Sequence, residues 1–399
     1  MFNTIEAALE VVEARRNQVY GIDHLKAALE ALGNPQDRLK FIHIGGTNGK
    51  GSTTNFTRAI LQEAGFRVGT FTSPHLISHN DRIRINDEPI IDAHLLFYIN
   101  QTERIWEKFN LSMFEIDVLV SILHFIDEGV NFVIFEVGLG GRLDATNVIT
   151  PRVSAITNVD YDHMAILGNT LGEIAVEKAG IIKEGVPILT TEKKQEVLDV
   201  FMDTATNLNA PFKCVEIPEY TGMFDFKVGD VEINLRNQGI YQIENCALAI
   251  AIVKSLDLFA SNRAIKTAVE STHWAGRFEP LMEGVYVDGA HNRIGMKRMI
   301  ETLERLPKPW TVVFSALADK DHHEMIEMLL EKVDTVIITE FEFNRAAKAT
   351  ELAEDFDVVI IEDFKEAIDK GIEMRGEGTT VITGSLYFIS DARAYILSK

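Results

Sequence analysis

The chain has 399 residues, a length that allows two or three domains. Hydrophobic residues make up 46% and charged residues 25%, which is typical of a globular protein. Acidic residues number 60 against 39 Lys and Arg, and the resulting charge of −21 disfavours nucleic acid or an anionic membrane as a partner. Two cysteines, Cys214 and Cys246, give neither a disulfide framework nor a zinc signature. With no signal peptide and no long apolar run, these features predict a protein of the reducing cytoplasm without a membrane span.

The first half of the chain alternates helical and strand patterns. Apolar residues at helical spacing predict a helix over residues 4–15, and the apolar run 39–44 predicts a buried strand. A glycine-rich turn at 45–51 and a helix over 52–64 follow. Further strands are predicted at 67–71, 132–137, 153–159 and 186–190, mostly separated by helices. This alternation is typical of a mainly parallel sheet with helices on both faces.

The second half begins with a change of pattern. Residues 223–235 alternate apolar and polar around Gly229 and Asp230, which predicts a hairpin in the large domain, and two helices follow, at 244–258 and up to about Trp274. A new series then has strands at 285–288, 311–314, 335–339, 358–361 and 380–382. We therefore predict an α/β protein with two domains: residues 1–275, a large mainly parallel-sheet domain, and residues 276–399, a smaller Rossmann-like domain.

A glycine-rich segment between the first predicted strand and its helix has the clearest chemical meaning. It is GGTNGKGST at residues 45–53. Glycines let backbone N–H groups surround phosphate oxygens, and the following helix adds its positive dipole end. Lys50 supplies a charge for the β- and γ-phosphates and Ser52 a hydroxyl for Mg²⁺, although Gly51 between them departs from the usual pattern. The segment predicts an ATP-phosphate site, with an ordinary strand-to-helix turn as the alternative; its residues are Thr47, Asn48, Gly49, Lys50, Gly51 and Ser52.

Further motifs carry a family resemblance. The most specific are the phosphate loop and EVGLGGRLDATN at 136–147. Shorter ones follow in the same order, namely LGNP at 32–35, TSPHL at 72–76, DRIRI at 81–85, MFE at 113–115, TNVD at 157–160 with DH at 162–163, IAVEKAGI at 174–181, GR at 276–277, DGAHN at 288–292, DKD at 319–321 and GSLY at 384–387. Over about residues 30–390 the chain thus resembles the Mur-ligase superfamily, and within it the folylpolyglutamate synthase/dihydrofolate synthase family.

The resemblance implies an ATP-dependent amide ligase. In such an enzyme a folate-type carboxylate attacks the γ-phosphate of ATP, and the amine of L-glutamate displaces phosphate from the acyl phosphate. The large domain would bind ATP, metals and folate, and the C-terminal domain would close over ATP and bind glutamate. The implied partners are ATP, glutamate, and dihydropteroate or reduced folates, without nucleic acid or membrane. The implied cofactors are Mg²⁺ at two sites, with Mn²⁺ as a substitute, and K⁺, and we expect a monomer.

The resemblance also implies a set of metal ligands, namely Ser52, Ser73, Glu136, His163 and Lys178. Glu136 ends an apolar strand, and a carboxylate at the carboxyl end of a parallel strand faces the crevice where ligands bind. His163 would hold the second metal, together with a carbamylated Lys178. The alternative for Ser73 is an ordinary turn residue, for His163 an ordinary loop histidine, and for Lys178 a solvated helix lysine.

Groups from the second half of the chain are expected at the nucleotide. By resemblance, Arg277 contacts the phosphates, Asp288 the nucleotide, and His291 approaches the phosphates. Asn245 lies in a block that resembles the family's nucleotide contacts, although Tyr241 stands where the family often has His. The expected catalytic residues are Lys50, His163, Lys178 and Arg277.

A third group is expected at the folate. Asp144 can accept two N–H bonds from the amino-pyrimidine edge of a pterin, and Ala145 adjoins it. Phe114 offers a stacking face, with core packing as an equal alternative, and Arg82 would meet the anionic glutamyl tail unless it is simply solvated. The remaining histidines considered are expected to be ordinary loop or helix-surface residues, namely His75, His79, His124, His322 and His323.

Two other functions stay open. A different amino-acid ligase of the superfamily would share the phosphate loop but lack the motif at 136–147. A nucleotide-binding regulator without turnover would keep the fold, although every expected catalytic group is present here. Within the family, the sequence also leaves open whether the chain only lengthens glutamate tails or also adds the first glutamate to dihydropteroate.

Overall fold

The structure is a computed structural model that describes residues 1–16, 21–75, 77–229, 231–258, 260–318 and 321–399. Leu76 of the TSPHL motif and Asp319 and Lys320 of the DKD motif lie outside the described residues. The chain forms two units. The first comprises Met1–Pro218, Val228–Val231 and Glu244–Val269, and the second comprises Glu219–Lys227, Glu232–Ile243 and Glu270–Lys399.

Most elements belong to the first unit. Up to Cys214 they are α1 (Ile5–Glu13), α2 (Asp23–Ala31), β1 (Phe41–Gly45), α3 (Lys50–Glu63), β2 (Val68–Phe71), β3 (Ile83–Ile85), β4 (Glu88–Pro89), α4 (Asp92–Lys108), α5 (Met113–Asp127), β5 (Phe132–Glu136), β6 (Val153–Ile156), α6 (Met164–Leu167), α7 (Leu171–Ala179), β7 (Ile188–Thr190), α8 (Gln195–Asn207) and β8 (Phe212–Cys214). Then follow β9 (Asp225–Val228), β10 (Val231–Asn234), α9 (Gln242–Ser255) and α10 (Asn262–Ser271), each of which has residues in both units.

The large sheet has the strand order β4-β3-β2-β5-β1-β6-β7-β8. All neighbours from β2 to β8 pair in parallel, whereas β3 pairs antiparallel with both β2 and β4. Every residue of β1, β2, β5 and β6 is buried, as expected for parallel strands covered on both faces. The predicted fold class is confirmed, and the short antiparallel edge β3–β4 is an addition to it.

The register of the central strands brings four loops to one edge of this sheet. Ile44 pairs with Glu136 of β5, and Gly45 pairs with Ile156 of β6. Phe71, the last residue of β2, pairs with Phe135. Because parallel strands end at the same edge, the loops that follow β1, β2, β5 and β6 lie side by side there.

The helices of this unit have clear start signals. The Ser112 hydroxyl accepts the N–H of Glu115 at 3.3 Å, and the Glu115 carboxylate accepts the N–H of Ser112 at 2.8 Å, which caps α5. Thr170 and Glu173 make the same reciprocal pair at the start of α7. Helix α7 matters for the site because it carries Lys178 in its last turn.

The second unit contains a smaller sheet. After α10 the elements are β11 (Glu279–Met282), β12 (Val285–Asp288), α11 (Arg293–Leu303), β13 (Trp310–Phe314), α12 (His322–Leu330), β14 (Thr335–Glu340), α13 (Ala349–Leu352), β15 (Val359–Asp363), α14 (Phe364–Met374), β16 (Thr379–Thr383) and α15 (Leu386–Leu397). The strand order is β11-β12-β16-β13-β14-β15, parallel except for the pair β11 and β12. The five predicted strands correspond to β12 to β16, and Pro280 marks β11 as an edge strand.

The predicted hairpin corresponds to β9 and β10, which form a separate two-stranded sheet. We expected it within the large domain, but its residues are divided between the two units. The functional division at residues 275 and 276 stays a prediction. None of the helices in the described parts of the chain combines the length and apolar character that a bilayer crossing requires.

Candidate active site

The glycine-rich segment forms a tight loop from β1 into α3. Gly46 has φ +139° and Gly49 φ +86°, which side chains rarely adopt. A Cβ on Gly46 would stand 1.9 Å from Thr157 Oγ1, and one on Gly49 would stand 2.2 Å from Asn245 Oδ1. The backbone therefore needs glycine at both positions. Contrary to the prediction, α3 begins at Lys50, so Lys50 and Gly51 belong to its first turn.

The loop is held by the segment that follows β6. Asn158 accepts the N–H of Thr47 on its backbone oxygen at 2.8 Å and the N–H of Asn48 on Oδ1 at 3.0 Å. Its amide also donates to the Asn48 carbonyl at 3.0 Å, and the Thr157 hydroxyl donates to the same oxygen at 2.6 Å. Asn158 lies inside the TNVD motif at 157–160, which by itself indicates no role for this residue. It fixes the shape of the phosphate loop.

Two lysines converge on the carbonyl of Gly46. Lys50 Nζ donates to Gly46 O at 3.2 Å and to Thr47 O at 3.1 Å, and Lys178 Nζ donates to Gly46 O at 3.0 Å. Burial, and secondly the charge of Lys50, lowers the pKa of Lys178 to about 7. Asp162 and Asp144 act in the opposite direction. The alternative of a solvated helix lysine is therefore wrong, since Lys178 is buried beside the phosphate loop.

Oxygen donors lie at the same sheet edge. Glu136 ends β5 with a buried side chain, and its Oε2 accepts the N–H of Ser73 at 3.4 Å. Ser52 is buried in the first turn of α3. A carboxylate with serine hydroxyls is the oxygen donor set that Mg²⁺ prefers, so these side chains fit that ion.

His163 lies in the loop before α6. Its side chain is 48% exposed, and Nε2 lies 3.7 Å from Asp162 Oδ1. Asp162 is also one of the charges that act on Lys178. The loop thus brings an imidazole and a carboxylate to the neighbourhood of the buried lysine.

Phe114 and Asp144 meet at Gly138. A Cβ on Gly138 would stand 2.6 Å from Phe114 Cζ and 3.1 Å from Asp144 Oδ2. Phe114 is partly buried and packs on Phe71 at 5.4 Å between ring centroids. The two residues expected at the pterin therefore share one location, although Phe114 also serves core packing.

Asp144 has structural partners that sequence analysis did not anticipate. Its carboxylate accepts the N–H of Leu139 at 2.8 Å, and the N–H and hydroxyl of Thr146 at 3.0 and 2.5 Å. Burial raises its pKa against these hydrogen bonds. Asp144 organises the 138–146 loop, and Ala145 is buried next to it. Its role toward a pterin stays a prediction.

Arg82 is buried in a network of charged and imidazole groups, which excludes simple solvation. Its Nε donates to His75 Nδ1 at 3.1 Å and lies 3.8 Å from Asp117 Oδ2. His79 Nε2 lies 2.8 Å from Asp117 Oδ1. Burial alone would lower the pKa of His79, but Asp117 reverses this and raises it. The expectation of an ordinary surface histidine is wrong for His79, and also for the buried His124.

The second unit carries Asp288 at the end of β12. Its Oδ2 accepts the Tyr241 hydroxyl at 2.5 Å and the N–H of Phe278 at 2.8 Å, and its Oδ1 accepts the N–H of Ala290 at 2.9 Å. Burial raises the pKa of Asp288, whereas the hydrogen bond from Tyr241 and the charge of Arg277 oppose the rise. Tyr241, which stands where the family often has His, has a physical role here, because its hydroxyl donates a hydrogen bond to the buried carboxylate of Asp288.

The remaining expected groups are placed by backbone contacts. In the second unit, the Arg277 carbonyl accepts the amide of Asn237 at 2.7 Å. His291 Nδ1 lies 2.8 Å from the Gly289 carbonyl. In the first unit, the buried side chain of Asn245 on α9 approaches Gly49 of the phosphate loop.

Comparisons with known proteins point in one direction. The Mur ligase middle domain matches residues 44–253, and the Mur ligase glutamate ligase domain matches residues 276–386. Dihydrofolate synthase/folylpolyglutamate synthase of Bacillus subtilis is 39% identical over 405 residues, with 94% of each chain covered. Folylpolyglutamate synthase of Lacticaseibacillus casei is 33% identical over 399 residues, with 92% of each covered.

Solved structures are similar over almost the whole chain. FolC of E. coli in complex with DHPP and ADP has a TM-score of 0.91 at 26% identity, covering 99% of this chain and 98% of that one. The bifunctional folylpolyglutamate synthase/dihydrofolate synthase of Yersinia pestis, complexed with AMPPNP and Mn ion, has a TM-score of 0.88 at 27% identity, with 98% of each covered.

Proposed function

Because this chain belongs to the Mur ligase family, and within it to the folylpolyglutamate synthase/dihydrofolate synthase group, we propose that it joins L-glutamate to a folate-type carboxylate at the expense of ATP. The observation that carries the proposal is the convergence of Lys50 and Lys178 on the loop between β1 and α3. A regulator without turnover would not need a second, buried lysine there. The alternative of another amino-acid ligase of the superfamily is disfavoured, because the chain is 39% identical over 94% of its length to the dihydrofolate synthase/folylpolyglutamate synthase of Bacillus subtilis.

The chemistry proceeds in two displacements. A carboxylate oxygen of the folate attacks the γ-phosphorus, and the bond to the β–γ bridging oxygen breaks to release ADP. The amine of glutamate then attacks the acyl carbon, the bond to the phosphate oxygen breaks, and the amine loses a proton. Lys50 and the N–H groups of the phosphate loop neutralise the charge that builds up on the phosphates.

Mg²⁺ would be held by Ser52, Ser73 and Glu136, whose oxygens suit this ion. A second divalent ion would be held by His163 and Lys178. Bound there, the ions supply positive charge that favours attack on the phosphorus and activates the acyl group. The AMPPNP and Mn complex of the Yersinia pestis protein supports Mn²⁺ as a substitute.

Lys178 acts as a carbamate in this proposal. Its pKa of about 7 leaves a large share of the amine neutral at physiological pH, and only the neutral amine attacks CO₂. The attack forms an N–C bond and releases one proton, which leaves a carboxylate on a buried side chain. That carboxylate is an oxygen ligand for a divalent ion, whereas an ammonium group is not.

The folate lies against Phe114, Asp144 and Ala145, with its anionic tail toward Arg82. The meeting of Phe114 and Asp144 at Gly138 supports one pterin location, and the burial of Arg82 supports a role more specific than solvation. We propose that the enzyme also acts as dihydrofolate synthase, adding the first glutamate to dihydropteroate. The combined name of the 39% identical relative supports this double activity.

Asn245, Arg277, Asp288 and His291 complete the ATP site in this proposal. Arg277 neutralises phosphate charge during the transfer. Asp288 fixes the segment at Phe278, next to Arg277, through its hydrogen bond. The two free cysteines support a reducing cytoplasmic location. K⁺ as a further cation and a monomeric state rest on the family likeness.

Phosphate release tests this function directly. We expect release that requires ATP, glutamate, Mg²⁺ and a pteroate or folate together. Lys50→Ala should lower the rate at least about 10³-fold without changing the circular dichroism spectrum. Normal turnover in this folded variant would contradict the role of the phosphate loop.

A further inference from the structure

A group of possible metal ligands lies on α4 and α5, apart from the phosphate loop. His94 is in the first turn of α4, His124 is in the last turn of α5, and Glu128 is the C-cap of α5. His124 and Glu128 are four residues apart, so the two share one helix face. The packing of α4 against α5 brings His94 to that face.

The three side chains are close enough to surround one ion. One ligand atom from each residue can be chosen so that all lie within 4.8 Å of one another. His94 Nδ1 lies 4.0 Å from Glu128 Oε1, and the two imidazole rings are 5.7 Å apart between centroids. Ligands of a tetrahedral zinc ion stand roughly 3.4 Å apart, given a bond length of about 2.1 Å. Because His94 is exposed, its side chain can close the remaining gap.

His124 differs from an ordinary helix histidine in its burial and its hydrogen bonding. Its side chain is buried, and Nδ1 has no hydrogen-bond partner. A buried polar atom without a partner is costly, and such atoms in native proteins commonly have a functional explanation. An imidazole binds a metal ion through the lone pair of a ring nitrogen, and the unpartnered Nδ1 is such an atom.

The charges around the group tolerate a cation. Arg67 pairs with Glu128 through Oε2, and this leaves Oε1 on the side of His94. Asp127 adds a second carboxylate, which accepts the Tyr98 hydroxyl at 2.9 Å. The two carboxylates thus outweigh the single guanidinium.

We propose that His94, His124 and Glu128 form a zinc site that links α4 to α5. Two imidazoles and one carboxylate, with one position left for water, are a donor set that zinc uses, whereas Mg²⁺ prefers oxygen ligands. The site differs in this respect from the oxygen-rich edge at Glu136. Its function is to join the two helices, since His94 belongs to α4 whereas His124 and Glu128 belong to the C-terminal end of α5.

Zinc titration against a chromophoric chelator tests the proposal. In the wild-type chain one bound Zn²⁺ should have an affinity that falls at least tenfold in His94→Ala and in Glu128→Gln, whereas Zn²⁺ that binds at the proposed sites by Glu136 and His163 should be unaffected by these substitutions. His24→Ala, which removes an exposed histidine from α2, is the matched control and should leave the titration unchanged. His94→Ala alters an exposed side chain, so its fold should persist, and circular dichroism checks this.

The same variants give a second readout. Zn²⁺ should raise the thermal midpoint of the wild type and of His24→Ala by more than that of His94→Ala, because binding to the folded state stabilises it. A His94→Ala titration that superimposes on the wild-type curve would overturn the site. Equal weakening by His24→Ala would overturn it too, because it would reveal surface binding without a defined ligand set.

Discussion

Replacing Lys178 with methionine should remove activity and, at the same time, alter how stability depends on pH. Methionine keeps most of the side-chain length and burial but has no titrating group. Glutamate ligation should fall by at least about 10²-fold, because the lysine contributes charge or a carbamate at the phosphate loop. The stability effect follows from the pKa of Lys178, which burial lowers from 10.5 to about 7.

The sign and size of the stability effect can be worked out. Between pH 7 and pH 10.5 the lysine is protonated in the unfolded chain but increasingly neutral in the folded one. The unfolded state therefore binds more protons, and the free energy of unfolding rises with pH. At about 1.4 kcal/mol per pH unit, Lys178 adds about 2 kcal/mol of stability between pH 7 and pH 9. The methionine variant lacks this rise. Its free energy of unfolding, relative to that of the wild type, is therefore higher at pH 7 than at pH 9 by about 2 kcal/mol.

Urea unfolding of both proteins at pH 7 and pH 9 measures the effect. Other titrating groups cancel in the difference between variant and wild type. The buffers should be free of CO₂, since carbamate formation would remove the positive charge. If the difference in free energy of unfolding between variant and wild type is the same at the two pH values, the lowered pKa of the buried Lys178 is refuted.

Two further substitutions test other contacts. Gly49→Ala should raise the KM for ATP and lower the free energy of unfolding by about 1–3 kcal/mol, since its Cβ would meet Asn245. Gly65→Ala, at φ +91° with open space around it, is the control, and an unchanged KM in Gly49→Ala would count against the loop geometry. Tyr241→Phe should destabilise by about 1–3 kcal/mol, because buried Asp288 loses a hydrogen bond. Since that bond lowers the pKa of Asp288, the loss in thermal stability should be larger at pH 8 than at pH 5; equal losses would contradict the assignment.

The fold was predictable where apolar runs are long and punctuated by glycine. The central strands of both sheets are fully buried, so their sequences are rich in apolar and β-branched residues. Three strands at or next to a sheet edge, namely β3, β4 and β11, were missed for physical reasons. β3 and β4 are only three and two residues long, and β11 contains Pro280, which strand patterns disfavour.

The candidate site was predictable where a motif implies backbone geometry. The phosphate loop required glycine at positions 46 and 49, and both have positive φ. The support from Asn158 was not predictable, because its contacts depend on the pairing of β1 with β6. The burial of His124 was missed as well, because it depends on the packing of α5 against α4, where its ring centroid lies 5.5 Å from that of Tyr98.

The product of the reaction tests the central claim most directly. The chain would be incubated with ATP, Mg²⁺ and glutamate, with either dihydropteroate or a tetrahydrofolate monoglutamate, and the products read by mass spectrometry. We predict that both substrates gain one glutamyl residue, with one phosphate released for each bond formed. Full ATP-binding capacity without a glutamyl product from either substrate would contradict the proposed folate ligase.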